Sequence, residues 1–122
     1  MIRRIDHIEL VVKDLDMSVS FFKELGFREI RRTPHHGTSV ELAIPGQSQP
    51  VWELHQVTGD EVIGINHIGF HVDDVNQEYE RLKDGGIELQ GEPHLIESTG
   101  RILLDFRDPT GFRYHLVQNY TE

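Results

Sequence analysis

The sequence predicts an α+β fold: two paired βαβββ modules forming an open, curved, mostly antiparallel sheet, a cup with its helices on the outer face. Three observations predict it. The chain repeats itself about every 60 residues, each repeat carries one amphipathic helical stripe, and each ends in two short strands around a Gly/Pro-rich turn. The segment "IDHIELVVKDLDMSVSFFKELGF" lies over "INHIGFHVDDVNQEYERLKDGGI", so that His7 meets His67, Val12 meets Val72, Asp14 meets Asp74 and Gly26 meets Gly86. With two more residues of offset, "VELAIPGQSQPVWELHQ" falls over "ILLDFRDPTGFRYHLVQ", which places Glu53 over His115.

Each element follows from its spacing. In Ile5–Val12, Ile8, Leu10 and Val12 alternate as one buried strand face, and His7, Glu9 and Val11 take the other. Leu15, Val19 and Phe22, like Val75, Tyr79 and Leu82, recur at i, i+4, i+7, one stripe of an amphipathic helix. Asp14 or Asp16, and Asp74 or Asn76, are the candidate N-caps, and Gly26 and the Gly85-Gly86 pair supply the left-handed exits. A strand is expected over Phe27–Thr33, with its counterpart over Ile87–Gln90. Under the helices, Ile8, Leu10, Val12, Trp52 and Leu54 form one core face; Ile68, Phe70, Val72, Tyr114 and Leu116 form the other. The segment Thr58 to Gly64 links the halves, giving one domain over residues 1–122 with modules at about 1–58 and 64–122. A repeat of about 60 residues is thin for an independent core, so pairing the two is the economical solution. Pro34–Ser39 and Glu92–Gly100 are the irregular pieces, expected as covering loops.

Composition narrows the functional classes. Twelve basic against 21 acidic side chains give a formal charge of −9, which disfavours a phosphate backbone as partner, so no nucleic acid is expected. The basic residues Arg28, Arg31 and Arg32 are interrupted by Glu29 and Ile30 and read as a solvated edge strand. No apolar run approaches the roughly 20 residues that cross a bilayer, so no membrane is expected either. The chain begins in a strand pattern without a signal-peptide apolar region, and a cytoplasmic location is the simplest expectation. With no cysteine, disulfides, thiolate ligands and cysteine nucleophiles are excluded. The chain instead has eight histidines.

Two of these histidines change meaning once the repeat is seen. His7 and His67 head equivalent strands, and Glu53 and His115 sit at equivalent places in the closing strands, all on the face away from the helices. If the halves curl round a pseudo-twofold axis or pair across a dimer, the four converge. Imidazole and carboxylate suit Zn, Ni, Co, Mn or Fe(II), so His7, Glu53, His67 and His115 are the expected ligands of a divalent metal. His55, His71 and Arg113 share the same faces and are expected to contact substrate. His35 and His36, adjacent in Pro34-His35-His36-Gly37, would point apart unless the loop bends sharply, and are expected to be solvated or to cover substrate. His94, after Pro93, is expected in the equivalent loop.

The motifs "IDHIELVVKDLDMSVSFFKELGF", "VWELHQV", "INHIGFHVDDVNQEYERLKDGGI" and "FRDPTGFRYHLVQ" resemble the vicinal oxygen chelate superfamily across nearly the whole chain. That family includes glyoxalase I, extradiol dioxygenases, fosfomycin-resistance proteins, methylmalonyl-CoA epimerase and bleomycin-binding proteins. The resemblance implies paired βαβββ modules, one divalent metal and a homodimer. Position by position, His7 matches the first-strand ligand, His67 its counterpart, and Glu53 the glyoxalase-type ligand closing the first module. His115 stands where metal-binding relatives mostly carry a glutamate, the proposed general base of glyoxalase I. Val11 and Val57 stand where glutathione-using members carry arginine and asparagine, so glutathione is doubtful as co-substrate. The implied activity is a glyoxalase-type lyase or isomerase on a small substrate that chelates the metal through neighbouring oxygens. Glu53 or His115 would transfer the proton by way of an enediolate. An Fe(II) extradiol-type dioxygenase using His7, His67 and Glu53 is the alternative, and a non-catalytic drug-sequestering protein is a further one.

Overall fold

The computed structural model describes residues 1–119. In order along the chain they form β1 (Ile2–Val12), α1 (Leu15–Glu24), β2 (Arg28–Thr33), β3 (Ser39–Ala43) and β4 (Val51–Gln56). The same sequence of elements then recurs as β5 (Gly64–Val72), α2 (Val75–Asp84), β6 (Leu89–Ile96), β7 (Arg101–Arg107) and β8 (Arg113–Asn119). Both helices start at the first of the two caps the sequence offers. Asp14 accepts from the Met17 amide at 3.1 Å and Asp74 from the Gln77 amide at 3.1 Å, each from an extended backbone. A glutamine from the closing strand satisfies another orphan amide at each helix start: Gln56 Oε1 accepts from Leu15 N–H at 3.2 Å, and Gln118 Oε1 from Val75 N–H at 2.9 Å. Both helices end alike. The Phe27 amide reaches back to Phe22 and the Ile87 amide to Leu82, around left-handed Gly26 (φ 108) and Gly86 (φ 79).

The chain folds as two compact units, His7–Asn66 and Met1–Asp6 together with the chain from His67 onward. In the first unit the strands run β2-β3-β4-β1. β2–β3 and β3–β4 are antiparallel, whereas β1–β4 is parallel. The second unit repeats this as β5-β8-β7-β6, with β5–β8 the parallel pair. A parallel pair needs a long crossover, which the helix and the intervening hairpin supply. The sheets are therefore mixed, two antiparallel pairs for each parallel one, and neither four-stranded sheet closes on itself. Among the described residues no helix is long and apolar enough to cross a membrane.

The apolar faces pack as their alternation requires. Val12, Val19, Val40, Leu42 and Leu54 are buried in the first unit, with Leu10, Leu15, Phe22, Phe27 and Trp52 against them. Phe22 meets Trp52 edge-on at 5.6 Å between ring centroids. Val72, Val75, Leu104 and Leu116 form the second core, flanked by Phe70, Tyr79 and Leu82.

Two features depart from the sequence reading. Met1–Asp6, expected with the first module, packs with the second. Its contacts explain this: the N-terminal amine lies 3.0 Å from Glu78, Arg3 Nη2 lies 2.7 Å from Asp73, and Asp6 faces Arg101 at 3.4 Å. The strand expected over Ile87–Gln90 is also later and longer, Leu89–Ile96. Its pairing with β7 steps from Gln90↔Asp105 to His94↔Leu103, a bulge that takes up Gly91 (φ 83) and Pro93. Proline cannot donate to a ladder, and a bulge is where a strand tolerates it. His94 thus sits in a strand, and the expected loop over Glu92–Gly100 shrinks to a turn at residues 97–100.

Two stability predictions follow from these contacts. Asp14→Ala and Asp74→Ala should each cost about 1 kcal/mol in urea denaturation, the usual loss when an N-cap is removed. On the edge of the first unit, hydrogen bonds and charge from Arg32 and Lys23 hold the Glu29 carboxyl at about 2 rather than 4.5. A depressed carboxyl stabilises the fold above its unfolded value and loses that contribution as pH falls from 4.5 toward 2. Glu29→Gln should flatten the acid limb of the stability curve in that window, by less than about 1 kcal/mol because the pair is solvated.

Candidate metal centre and polar sheet faces

In each unit the face away from the helix is polar and buried. Strand register sets which side chains share a row on that face. In the first unit Glu9 on β1 stands opposite Glu53 on β4, which stands opposite Glu41 on β3. All three are 2% exposed. Desolvation and like-charge neighbours both disfavour three carboxylates side by side, so such a row calls for cations or protons. Arg31 answers for one of them, with Nε 3.0 Å from Glu41. One row along, His55 is fully buried opposite Val11 and Ser39. Its Nε2 lies 2.9 Å from Glu61 Oε2, and the other oxygen of that carboxylate accepts from the Thr58 amide and hydroxyl. Burial works against ionising Glu61, but the bonds from His55 and Thr58 outweigh it and hold the carboxyl at about 2.

The equivalent row of the second unit is Gly69, His115 and Asp105. Here the buried groups are mainly imidazoles. His67 and His115 are both buried, with ring centroids 3.8 Å apart. His115 Nε2 lies 2.7 Å from Asp105 Oδ1, and Arg113 Nη2 lies 3.3 Å from the same oxygen. Burial pushes the His115 imidazole below its ordinary value, and the carboxylate opposing that shift does not overcome it. Burial raises Asp105, but His115 and Arg113 reverse this and leave it below the ordinary carboxylate range. The pair is therefore a neutral imidazole beside an anionic carboxylate at neutral pH. Carboxylates commonly hold metal-ligating histidines in this way, fixing which ring nitrogen carries the proton.

The expected site residues fall as follows. His7 and Glu53 lie buried on the polar face of the first unit, Glu53 one row along from His7. His67 and His115 come together in the second unit. Of the residues expected to meet substrate, His55 is tied to Glu61, His71 Nδ1 stands 3.9 Å from Asp6 Oδ1, and Arg113 is engaged with Asp105. His36, expected to be solvated or to cover substrate, instead folds back over the sheet and stacks on His55 at 4.3 Å. The sharp bend that would permit this is present: His36 (φ 52) and Gly37 (φ 87) are both left-handed. The sequence reading left out Asp105 from the site because the repeat alignment sets it over Ala43. The β7–β8 register is slipped by two residues relative to β3–β4, which brings Asp105 rather than Leu103 beside His115. Glu9 and Glu41 were legible from alternation alone, Glu9 on the same strand face as His7.

Comparison with known proteins agrees with this architecture. A family model described as the Glyoxalase/Bleomycin resistance protein/Dioxygenase superfamily matches residues 4–116. The chain is 32% identical over 125 residues to the uncharacterized protein YwbC of Bacillus subtilis, covering 97% of this chain and 90% of that one. It is 30% identical over 125 residues to a probable lactoylglutathione lyase of Vibrio parahaemolyticus, covering 95% and 91%. Among solved structures, a methylmalonyl-CoA epimerase from Mycobacterium tuberculosis superposes with a TM-score of 0.84 at 20% identity, covering 97% of this chain and 89% of that chain. With the family model spanning nearly the whole of its repeat, the chain belongs to the glyoxalase/bleomycin resistance protein/dioxygenase superfamily, the vicinal oxygen chelate group that its motifs resemble.

Proposed function

We propose that the protein is a metal-dependent lyase or isomerase of the glyoxalase type, acting on a small molecule with neighbouring oxygens. The observation that carries this reading is the buried His67–His115 pair with Asp105 behind His115. Two buried imidazoles, one fixed by a carboxylate, fit a borderline divalent ion such as Zn, Ni, Co, Mn or Fe(II). In this proposal His7 and His67 are ligands, and of the repeat counterparts Glu53 and His115 one completes the set while the other moves the proton. A bound ion would act as a Lewis acid on the substrate oxygens.

The rest of the chemistry belongs to the chain's own residues. Asp105 Oδ1, 2.7 Å from His115 Nε2, favours the tautomer with its proton on Nε2 and its lone pair on Nδ1. With its affinity for protons lowered by burial, His115 stays neutral near pH 7 and can take a proton from a substrate carbon and return it to the adjacent one. Glu53 is the alternative proton carrier, with His115 then remaining a ligand. The chain's likeness to a probable lactoylglutathione lyase supports a 2-oxoaldehyde thiol adduct as substrate, while Val11 and Val57 favour a thiol other than glutathione. We also take the protein to be a homodimer. Met17 and Phe21, one helical turn apart on α1, and Leu25 just past its end are exposed apolar surface that a second copy would cover.

The purified protein should contain about one equivalent of metal by elemental analysis, lost in His67→Ala and His7→Ala; full retention in both would sink the reading. In a turnover screen of 2-oxoaldehyde adducts of several thiols, His115→Ala should lower kcat by roughly 10²–10⁴-fold, the range for a lost general base. Asp105→Asn should lower it by about 10–100-fold. Oxygen uptake with catechols by iron-loaded protein, without isomerase turnover, would favour the dioxygenase instead. Light scattering should give twice the chain mass, and Phe21→Glu should reduce it to one.

A further inference from the structure

We propose that the first unit carries a separate site for a borderline divalent transition-metal ion, formed by Glu9, His36 and His55 with Glu61 orienting His55. None of these residues belongs to the ligand set proposed above, and all lie in His7–Asn66. A ligand atom from each of Glu9, His36 and His55 lies within 4.8 Å of the other two. The Glu9 carboxylate straddles the rings, with Oε1 3.7 Å from His36 Nε2 and Oε2 3.9 Å from His55 Nδ1. Around a tetrahedral ion with bonds of about 2.0–2.1 Å, neighbouring ligand atoms stand about 3.4 Å apart. The two carboxylate contacts are a few tenths of an ångström longer than that, and the 4.8 Å bound on the whole triad leaves up to about 1.4 Å for the side chains to close around an ion.

The second observation is the state of His55. A carboxylate fixed by Thr58 can only accept, so His55 Nε2, 2.9 Å from Glu61, donates to it. In the neutral ring a proton on Nε2 leaves the lone pair on Nδ1, the nitrogen facing Glu9. That Nδ1 is buried, in a side chain with no exposed surface, and has no hydrogen-bond partner among the described residues. A polar atom so placed costs free energy unless something coordinates it. Carboxylate, imidazole and coordinating nitrogen in this order match the arrangement behind metal-ligating histidines. His36 supplies the access. Its side chain is 38% exposed, and it lines an open pocket of about 410 Å³ with Gly37, Thr38 and Gln56. Three protein ligands beside an open pocket leave a coordination position for water or a small ligand.

Cobalt(II) titration of the metal-stripped protein tests this, read by equivalents retained after gel filtration and by visible absorption. The wild type should bind one equivalent more than His36→Ala, a half-exposed loop variant that leaves both cores untouched. His67→Ala should keep the His36-dependent equivalent, which separates this site from the one proposed above. Glu61→Ala should weaken that equivalent by about 10–100-fold. Equal stoichiometry and equal spectra for wild type and His36→Ala would overturn the site, as would loss of the His36-dependent equivalent in His67→Ala.

Discussion

The parallel pairing of the first and last strand in each repeat is the constraint on which the rest depends. β1 with β4, and β5 with β8, bring the two ends of each repeat side by side in one direction. That alignment carries Gln56 and Gln118 to the helix starts, where each closes an amide that the Asp cap leaves open. It also decides which polar side chains face one another. Glu9 meets Glu53, and Gly69 meets His115, because their strands run in the same direction in that register. A shift of one residue would turn every carboxylate and imidazole of a strand into the helix-facing core. The apolar cores under α1 and α2 are thus also what holds the polar rows in place.

Those rows are electrostatically demanding. Burying a charged group costs several kcal/mol unless it is paired. The first unit meets the demand with Arg31 on Glu41 and with Glu61 against His55, and the second with Arg113 and His115 around Asp105. Asp6, buried beside Arg101, is a further pair of the same kind, and it ties the start of β1 to the second unit. None of these partners contributes to the apolar cores. Their placement on a buried face sets that face apart from the apolar cores.

Much of this was legible in the sequence because the repeat is strong where the physics is local. Helical stripes, Asp caps and glycine exits need only neighbouring residues, and Leu15–Glu24 and Val75–Asp84 follow the predicted spacing. What escaped the sequence depends on register and on backbone bends. The bulge at Gly91–Pro93 lengthens β6 past the point where a proline reads as the end of a strand. The two-residue slip between β7 and β8 replaces Leu103 by Asp105 at the side of His115. Two consecutive left-handed residues bring His36 over His55, although adjacent histidines in a loop normally diverge. In the first two cases long-range pairing decides the outcome, and in the third a left-handed bend of the backbone does.

The same register argument explains how one backbone plan yields two different polar faces. At equivalent places along the closing strand the first unit has Glu53 and the second has His115, and on the opening strand Glu9 is answered by Gly69. The first face is therefore rich in carboxylate, and the second in imidazole. Hard oxygen donors and borderline nitrogen donors discriminate among divalent ions by type rather than by affinity alone. Differences between the two repeats at these few facing positions, with the hydrophobic alternation kept intact, give one repeated plan unlike polar faces without altering its cores.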